Sequence, residues 1–303
     1  MSQRGKSTNT YSGVFPKTGW FRRSWHFWRH RLIPQMFRAP HGETHHADPT
    51  PPPAGKIRLT WIGHASFLLQ TPHHSILFDP NWAQWHGPVK RQRSPGLHLD
   101  TLPPVDLVAV SHAHLDHLHK PSLRQIESRH GIIIPKGNAD ILAELDLHPV
   151  TELAIWDEHQ LDEHLTLIHT PSHHWGARFG HDTHRDYGGF LAQTPTHAIY
   201  HAGDSAYFDG FKTIGSRNNV DIALLPIGAY DAPSGRNVHL NPEQALQAFL
   251  DLGAHTLIPM HYATFPLGNE DFHEPEERLL AEASRLGLRD QIQILEPGKS
   301  ITL

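Results

Sequence analysis

The sequence has 303 residues, no cysteine and 29 histidines. With 38% apolar and 19% charged residues, it has the composition of an ordinary globular protein of one or two domains. The lack of cysteine excludes disulfides, thiolate metal sites and a cysteine nucleophile, so any bound metal must be held by imidazole and carboxylate.

Charge is uneven along the chain. Residues 1–55 contain 8 Lys and Arg against 2 Asp and Glu, whereas the remaining residues contain 18 against 29. The first part therefore carries +6 and the second −11, and a body of that charge predicts no nucleic acid partner. The sequence shows no signal-peptide pattern and no apolar stretch long enough to span a membrane. We therefore expect a cytoplasmic protein.

Residues 20–37 have the pattern of a basic amphipathic helix. Large apolar side chains recur at helical spacing and basic side chains lie opposite, namely Phe21, Trp25, Trp28, Leu32 and Met36 against Arg22, Arg23, His26, Arg29 and His30. Such a helix is typical of an interfacial membrane anchor, and docking on its own domain or on a partner subunit is the alternative. Pro34 argues against one helix through the whole segment. The sequence thus predicts peripheral membrane contact through residues 20–37 and leaves a homodimer open.

A proline-rich stretch separates this segment from the rest. Residues 41–55 include Pro49, Pro51, Pro52 and Pro53, which predicts an extended linker. We expect a basic aromatic extension with a Pro-rich linker over residues 1–55 and a compact domain over residues 56–303.

Short apolar runs alternate with helical patterns in the second part, as in layered proteins of mixed α and β structure. Strands are predicted at residues 57–62, 67–70, 75–78, 105–110, 132–134, 165–169, 189–193, 198–201, 222–227, 256–260 and 292–295. Asn138 can cap a helix that reaches about Leu147, and residues 274–286 form a last helix. Asn241-Pro242-Glu243-Gln244 is a strong helix start, with Asn as N-cap and Pro in the first turn.

One motif carries ligand chemistry by itself. His112, His114, Asp116 and His117 follow directly on a buried apolar strand. Alternate residues of an extended chain share one side, so His112 and His114 can hold one cation while Asp116 and His117 face a second. Two ions need further ligands, and three other strand ends offer them, at His174, Asp204 and His261.

Together these segments resemble the metallo-β-lactamase superfamily. The resemblance covers residues 57–300 and is strongest to the branch of N-acylphosphatidylethanolamine-hydrolysing phospholipase D. It rests on Leu59-Thr60-Trp61-Ile62-Gly63-His64-Ala65, Ser111 to Leu118, Ala202-Gly203-Asp204, Ile227-Gly228-Ala229-Tyr230, His239-Leu240-Asn241-Pro242-Glu243 and His261-Tyr262-Ala263-Thr264-Phe265.

The resemblance implies an α+β fold, the four-layer αββα sandwich, with two zinc ions at one edge between the sheets. It implies that His112, His114 and His174 hold one ion, that Asp116, His117 and His261 hold the other, and that Asp204 bridges them. It also places His239 beside the metals, so Asp116 and His239 are the candidate catalytic residues. Imidazole and carboxylate ligands suit iron or manganese as well as zinc.

Two positions depart from the branch. His119 stands where many relatives carry an Asp that can orient a ligand imidazole, and Leu115 replaces a common Tyr. Orientation of the ligands and substrate contacts near the metals are therefore expected to differ.

The leading functional hypothesis is hydrolysis of a glycerophospholipid, since two zinc ions turn a shared water into hydroxide and neutralise phosphate oxygens. His239 could hydrogen-bond a phosphoryl oxygen or protonate the leaving alkoxide. A sugar-phosphate lactonase or another small-molecule metallo-hydrolase is the alternative, and a non-catalytic metal-binding protein is the third hypothesis.

Overall fold

The structure is a computed structural model that describes residues 18–179 and 182–303. Residues 1–17, which begin the predicted extension, lie outside the described residues. Two β-sheets face each other and helices cover their outer faces, which confirms the predicted αββα sandwich.

The described residues form fifteen strands. Their bounds are β1 (Arg58–Gly63), β2 (Ser66–Gln70), β3 (Ser75–Phe78), β4 (Trp85–His86), β5 (Val89–Lys90), β6 (Leu107–Ala109), β7 (Ile132–Pro135), β8 (Val150–Leu153), β9 (Glu158–Asp162), β10 (Leu165–Thr170), β11 (Gly189–Gln193), β12 (Ala198–His201), β13 (Ile222–Pro226), β14 (Thr256–Met260) and β15 (Ser300–Thr302). One sheet has the order β15-β1-β2-β3-β6-β7-β8 and the other β14-β13-β12-β11-β10-β9, while β4 and β5 form a separate hairpin.

Seven α-helices are described. They are α1 (Trp20–Phe27), α2 (Ile33–Met36), α3 (Lys120–Leu123), α4 (Ala139–Leu142), α5 (Gly210–Arg217), α6 (Pro242–Leu252) and α7 (Glu274–Leu286). The predicted start of α6 is confirmed, because Asn241 and Gln244, on either side of Pro242, form a reciprocal capping box. Within the described ranges, no helix combines the length and apolar character that a bilayer crossing requires.

Successive side chains along a strand point to opposite faces of the sheet, so the core consists of two clusters. In β1, Leu59 and Trp61 point between the two sheets, whereas Ile62 belongs to the cluster beneath α3 and α4. The inter-sheet cluster is continuous with the apolar faces of α5, α6 and α7. Each fully buried side chain of this size contributes about 1.5–3 kcal/mol to folding. This core holds the strand ends, and the loops that follow them, in fixed relation.

Two predicted elements differ from the structure, and several strands were not predicted. The helix predicted from Asn138 to Leu147 ends at Leu142, and Glu152 rather than Asn138 accepts its first backbone N–H groups. Residues 292–295 do not form a strand, since Ile292 makes only a single bridge to Leu257 before the chain crosses to pair β15 with β1. The strands β8 and β9 were missed because their polar residues hide the strand pattern.

The N-terminal segment is helical from Trp20 to Met36 but is not one continuous α-helix, as Pro34 predicted. A π-helical turn, Trp28–Leu32, joins α1 to α2 just before Pro34. The wider turn adds a residue, so Leu32 follows Phe27 on the buried side instead of joining the exposed aromatic face. The segment then runs along the domain, where His41 and His45 bridge to Arg93 and Leu97. The boundary at residues 55 and 56 stays a prediction.

Candidate metal centre

The predicted ligands converge at one edge of the sandwich. His112, His174, Asp204 and His261 each lie within four residues of the end of a strand, namely β6, β10, β12 and β14. Strands β3 and β6 run parallel, as do β12, β13 and β14, so these ends meet at the same edge. His261 takes a left-handed backbone conformation (φ 59°) that turns its side chain toward the others.

Four of the ligand-type side chains form a first cluster. Nε2 of His112 lies 2.8 Å from Nδ1 of His114, and Nε2 of His174 lies 3.2 Å from the same atom. Oδ2 of Asp204 lies 3.5 Å from Nε2 of His174 and 3.8 Å from Nε2 of His112. These atoms are close enough to share one cation.

A second cluster lies on the other side of Asp204. Nε2 of His261 lies 3.5 Å from Oδ2 of Asp116, and Nε2 of His117 lies 3.8 Å from the same oxygen. His64 joins this cluster, since its Nε2 is 2.9 Å from Oδ2 of Asp116. The structure therefore brings together all seven predicted ligands and adds His64, a buried histidine outside the predicted ligand set.

The carboxylate of Asp204 lies between the two clusters. Its Oδ2 is 3.2 Å from Nε2 of His117, and its Oδ1 is 3.1 Å from Nε2 of His261. Asp204 Oδ1, His117 Nε2 and His261 Nε2 are buried without a hydrogen-bond partner. Buried polar atoms that face one another in this way call for a cation, and the nitrogen and oxygen donors fit zinc, iron or manganese.

Electrostatics distinguish the two clusters. Burial and the imidazoles of His117 and His114 hold the pKa of His112 well below its usual range, and burial lowers the pKa of His114 to about 4. In the second cluster burial opposes the charged form too. Yet Asp204 and Asp116 raise the pKa of His261 to about 9. At His261 the two carboxylates thus outweigh burial and favour positive charge, as expected beside a cation site rich in carboxylate.

Residues behind the ligands orient them. Nδ1 of His117 lies 2.6 Å from Oδ2 of Asp79, which also accepts from the hydroxyl of Ser111. Nδ1 of His174 donates to the carbonyl of Val238 at 2.9 Å. A second nitrogen held in this way fixes the ring and its tautomer, leaving Nε2 for the metal side. Asp79 was not among the predicted site residues, although its position directly after β3 was the available signal.

The structure shows the contacts of the two residues that depart from the branch pattern, His119 and Leu115. His119 pairs with the hydroxyl of Ser122, 2.7 Å away, and caps α3, while Asp79 supplies the carboxylate that orients a ligand. Leu115 is exposed at the edge of the motif. His239, the other candidate catalytic residue, is largely buried, and its Nδ1 lies 3.8 Å from Oδ2 of Asp204.

Facing sheets with clustered His and Asp side chains at one edge form a candidate metal centre. A family described as the β-lactamase superfamily domain matches residues 74–262. The chain belongs to the β-lactamase superfamily.

Similar proteins support the assignment of the chain to this superfamily. An uncharacterized protein of Mycobacterium tuberculosis is 32% identical over 251 residues, which are 76% of this chain and 65% of that protein. This chain thus spans less than two thirds of the length of that relative. The N-acyl-phosphatidylethanolamine-hydrolyzing phospholipase D 1 of Caenorhabditis elegans is 31% identical over 73% of this chain and 68% of its own.

Among solved structures, Igni18, a metallo hydrolase from the archaeon Ignicoccus hospitalis, is similar. It has a TM-score of 0.63 and 25% sequence identity, covering 82% of this chain and 98% of its own. The superfamily and the branch expected from the motifs are confirmed.

Proposed function

We propose that this chain is a binuclear zinc phosphodiesterase that hydrolyses a glycerophospholipid, of the N-acylphosphatidylethanolamine phospholipase D type. One observation carries the lipid substrate: an exposed aromatic and basic helix is tied to two loops that flank the metal centre. The similarity to the phospholipase D of C. elegans supports the same substrate class.

The ligand assignment follows the two clusters. We assign His112, His114 and His174 to one zinc ion. We assign Asp116, His117 and His261 to the other ion, and the carboxylate of Asp204 is shared by both. When bound, such ions supply a hydroxide near neutral pH and neutralise the charge of a phosphate group. His64, 2.9 Å from Oδ2 of Asp116, orients that carboxylate.

His239 faces the space between the clusters. Burial lowers the pKa of His239 to about 4, so its imidazole is neutral at pH 7. A neutral imidazole donates a hydrogen bond from one nitrogen but carries no spare proton for a leaving group. Of the two roles inferred for His239, hydrogen bonding to a phosphoryl oxygen is therefore the one we propose, and Asp116 serves as ligand beside it.

The helix at residues 20–36 supplies the lipid-contacting surface. Phe21, Trp25 and Phe37 are 74%, 66% and 83% exposed, although Phe27 and Leu32 are buried against the domain. Exposed aromatic side chains next to arginine are characteristic of helices that lie in the headgroup region of a bilayer. We therefore propose a cytoplasmic enzyme that is peripheral at the membrane.

The same helix is attached to the site. Arg23 donates to the side chain of Asp231 and to the carbonyl of Ala232, and Arg31 pairs with Asp271. Gln35 and His261 both line one small cleft. A phospholipid that enters from a bilayer against this helix would meet the metal centre directly.

Substrate turnover tests the proposal. Zinc-loaded protein of measured metal content is incubated with vesicles that contain N-acylphosphatidylethanolamine, and phosphatidic acid and N-acylethanolamine are quantified. We expect both products with wild type and neither with Asp204→Ala. Faster turnover of a soluble lactone or cyclic phosphodiester than of any lipid would replace the lipid substrate by the lactonase or small-molecule alternative.

A further inference from the structure

An arginine lies one ring away from the first cluster. Trp175 stacks on the imidazole of His174, with ring centroids 4.3 Å apart, and meets that of His114 edge-on at 4.6 Å. Arg236 belongs to the loop between β13 and α6, and its guanidinium carbon lies 5.3 Å from the centre of the Trp175 ring. Arg236 therefore stands at the rim of the metal centre, with the indole as its platform.

This guanidinium lacks a counter-charge. Among residues 18–179 and 182–303, no carboxylate forms an ion pair with Arg236 and no side chain or carbonyl accepts from its guanidinium; Nε is moreover buried without a partner. Because Nε is buried without an acceptor, no hydrogen bond offsets its desolvation, and the contact with the indole contributes only about 0.5–1 kcal/mol. The residue is held in a position that an anion would stabilise.

Neighbouring arginines are different. Arg178 donates to the carbonyls of Ala113 and Leu118, and so braces the loop of the metal motif. Arg91 is fully buried and donates to the carbonyls of Ala83 and Asn81. Both arginines are engaged by the protein itself, whereas the donors of Arg236 are free for a ligand.

We infer that Arg236 binds an anionic phosphoryl oxygen of the substrate, on the side of the site that His114 and His174 occupy. A guanidinium offers parallel N–H donors that match two oxygens of a phosphate, and the stacked indole keeps its plane in place. The inference rests on the proposed function for the identity of the phosphate, and it adds a residue that selects anionic over neutral substrates.

Binding, rather than turnover, gives the direct test. Metal-loaded wild type, Arg236→Gln, Arg236→Lys and Arg217→Gln, each of measured metal content, are titrated by calorimetry with inorganic phosphate and with glycerophosphoethanolamine. Arg217 is the matched control because it also stacks on an indole, 4.2 Å from the ring of Trp156, on α5. The two probes separate free phosphate from a lipid headgroup as the source of the anion.

We expect Arg236→Gln to weaken binding about tenfold or more, as for the loss of a hydrogen bond to a charged group. Lysine keeps the charge without the fork, so Arg236→Lys should recover part of the affinity, and Arg217→Gln should bind like wild type. A loss with both probes assigns the site to phosphoryl groups in general, and a loss with the diester alone assigns it to the headgroup.

Two results would overturn the inference: no measurable binding of either probe to wild type, or equal affinity of Arg236→Gln and wild type at equal metal content. The proposed function is judged separately, because it fails when wild type leaves the lipid intact. If phosphate binding depends on Arg236 but no lipid is hydrolysed, the phosphate subsite is supported and the proposed function is not. If lipid is hydrolysed but phosphate binding does not depend on Arg236, the proposed function is supported and the subsite is not.

Discussion

Nδ1 of His117 lies 2.6 Å from Oδ2 of Asp79, and both side chains are fully buried. The carboxylate also accepts from the backbone N–H and the hydroxyl of Ser111, so it is held from two sides. Nε2 of His117 is thereby directed toward Asp204. The orientation of one ligand imidazole thus depends on a residue 38 positions earlier in the chain.

Asp79→Asn should weaken metal binding. The amide keeps the shape but removes the charge that stabilises the Nδ1–H of His117, and loss of such an outer contact costs about 10- to 100-fold in metal affinity or activity. Competition with a chelator measures the affinity. His119→Ala is the control, since His119 contacts Ser122 rather than a ligand, and equal affinities for the Asp79→Asn variant and wild type would refute the assigned role.

Asp204→Ala should remove both hydrolysis and the second metal ion. Asp204 is the carboxylate within reach of both clusters, and without it His117 and His261 lose their shared acceptor. Metal content by elemental analysis should fall from about two ions per chain to one or fewer, as expected for a two-metal site. Asp209→Ala, an exposed carboxylate at the start of α5, should match wild type. Hydrolysis that survives in Asp204→Ala would contradict the assigned site.

Metal affinity should rise with pH up to about 9. In the metal-free chain burial disfavours the charged imidazole, but Asp204 and Asp116 raise the pKa of His261 to about 9. His261 is therefore protonated at pH 7.5, and an entering cation must displace that proton. Calorimetry at pH 7.5 in two buffers of different ionisation enthalpy should record net proton release. Release that is absent at pH 7.5, or no smaller at pH 10, would contradict this protonation state.

Much of the metal centre could be predicted because its ligands sit in short segments next to apolar strands. His112, His114, Asp116 and His117 follow β6, and the other three predicted ligands each lie just after the end of a strand. Asp79 and His64 could not be assigned in the same way. A single Asp before Pro, or a His in a tight turn, is locally typical of a turn residue, and only the packing of β3 beside β6 brings Asp79 to His117.

The central strands of the fold could also be predicted from the sequence, whereas the polar edge strand and the π turn could not. Apolar central strands were placed within a residue or two, because buried strands are continuous apolar runs. The edge strand β9 escaped because its sequence, Glu-His-Gln-Leu-Asp, is largely polar. The π turn ahead of Pro34 was also missed, since proline in a helical pattern ordinarily indicates a break.

The exposed aromatic residues of α1 should carry membrane binding. Phe21→Ala combined with Trp25→Ala removes two large exposed side chains, and we expect about tenfold weaker binding to vesicles of phosphatidylglycerol and phosphatidylcholine. Leu250→Ala combined with Leu286→Ala removes exposed apolar side chains elsewhere and serves as control. Flotation of protein with vesicles measures the effect. Unchanged flotation of the aromatic variant would exclude this surface as the contact.

Glu270→Gln should loosen the loop that follows β13. The carboxylate of Glu270 accepts from the backbone N–H groups of Ala229, at 2.5 Å, and Asp231, at 3.2 Å. Glutamine has only one acceptor oxygen and would turn an amide N–H toward a backbone donor, which costs about 1–3 kcal/mol of stability. The same loop carries Val238, whose carbonyl accepts from His174, so affinity at the first cluster should fall as well.

Denaturant unfolding and chelator competition check the two effects of Glu270→Gln together. Glu282→Gln is the matched control, because Glu282 pairs only with Arg285 on the exposed side of α7 among the described residues. A surface pair of this kind contributes about 0–1 kcal/mol, so the control should stay close to wild type. If Glu270→Gln lost stability without losing metal affinity, Glu270 would stabilise the loop only locally. The contact between Val238 and His174 would then not couple loop stability to metal binding.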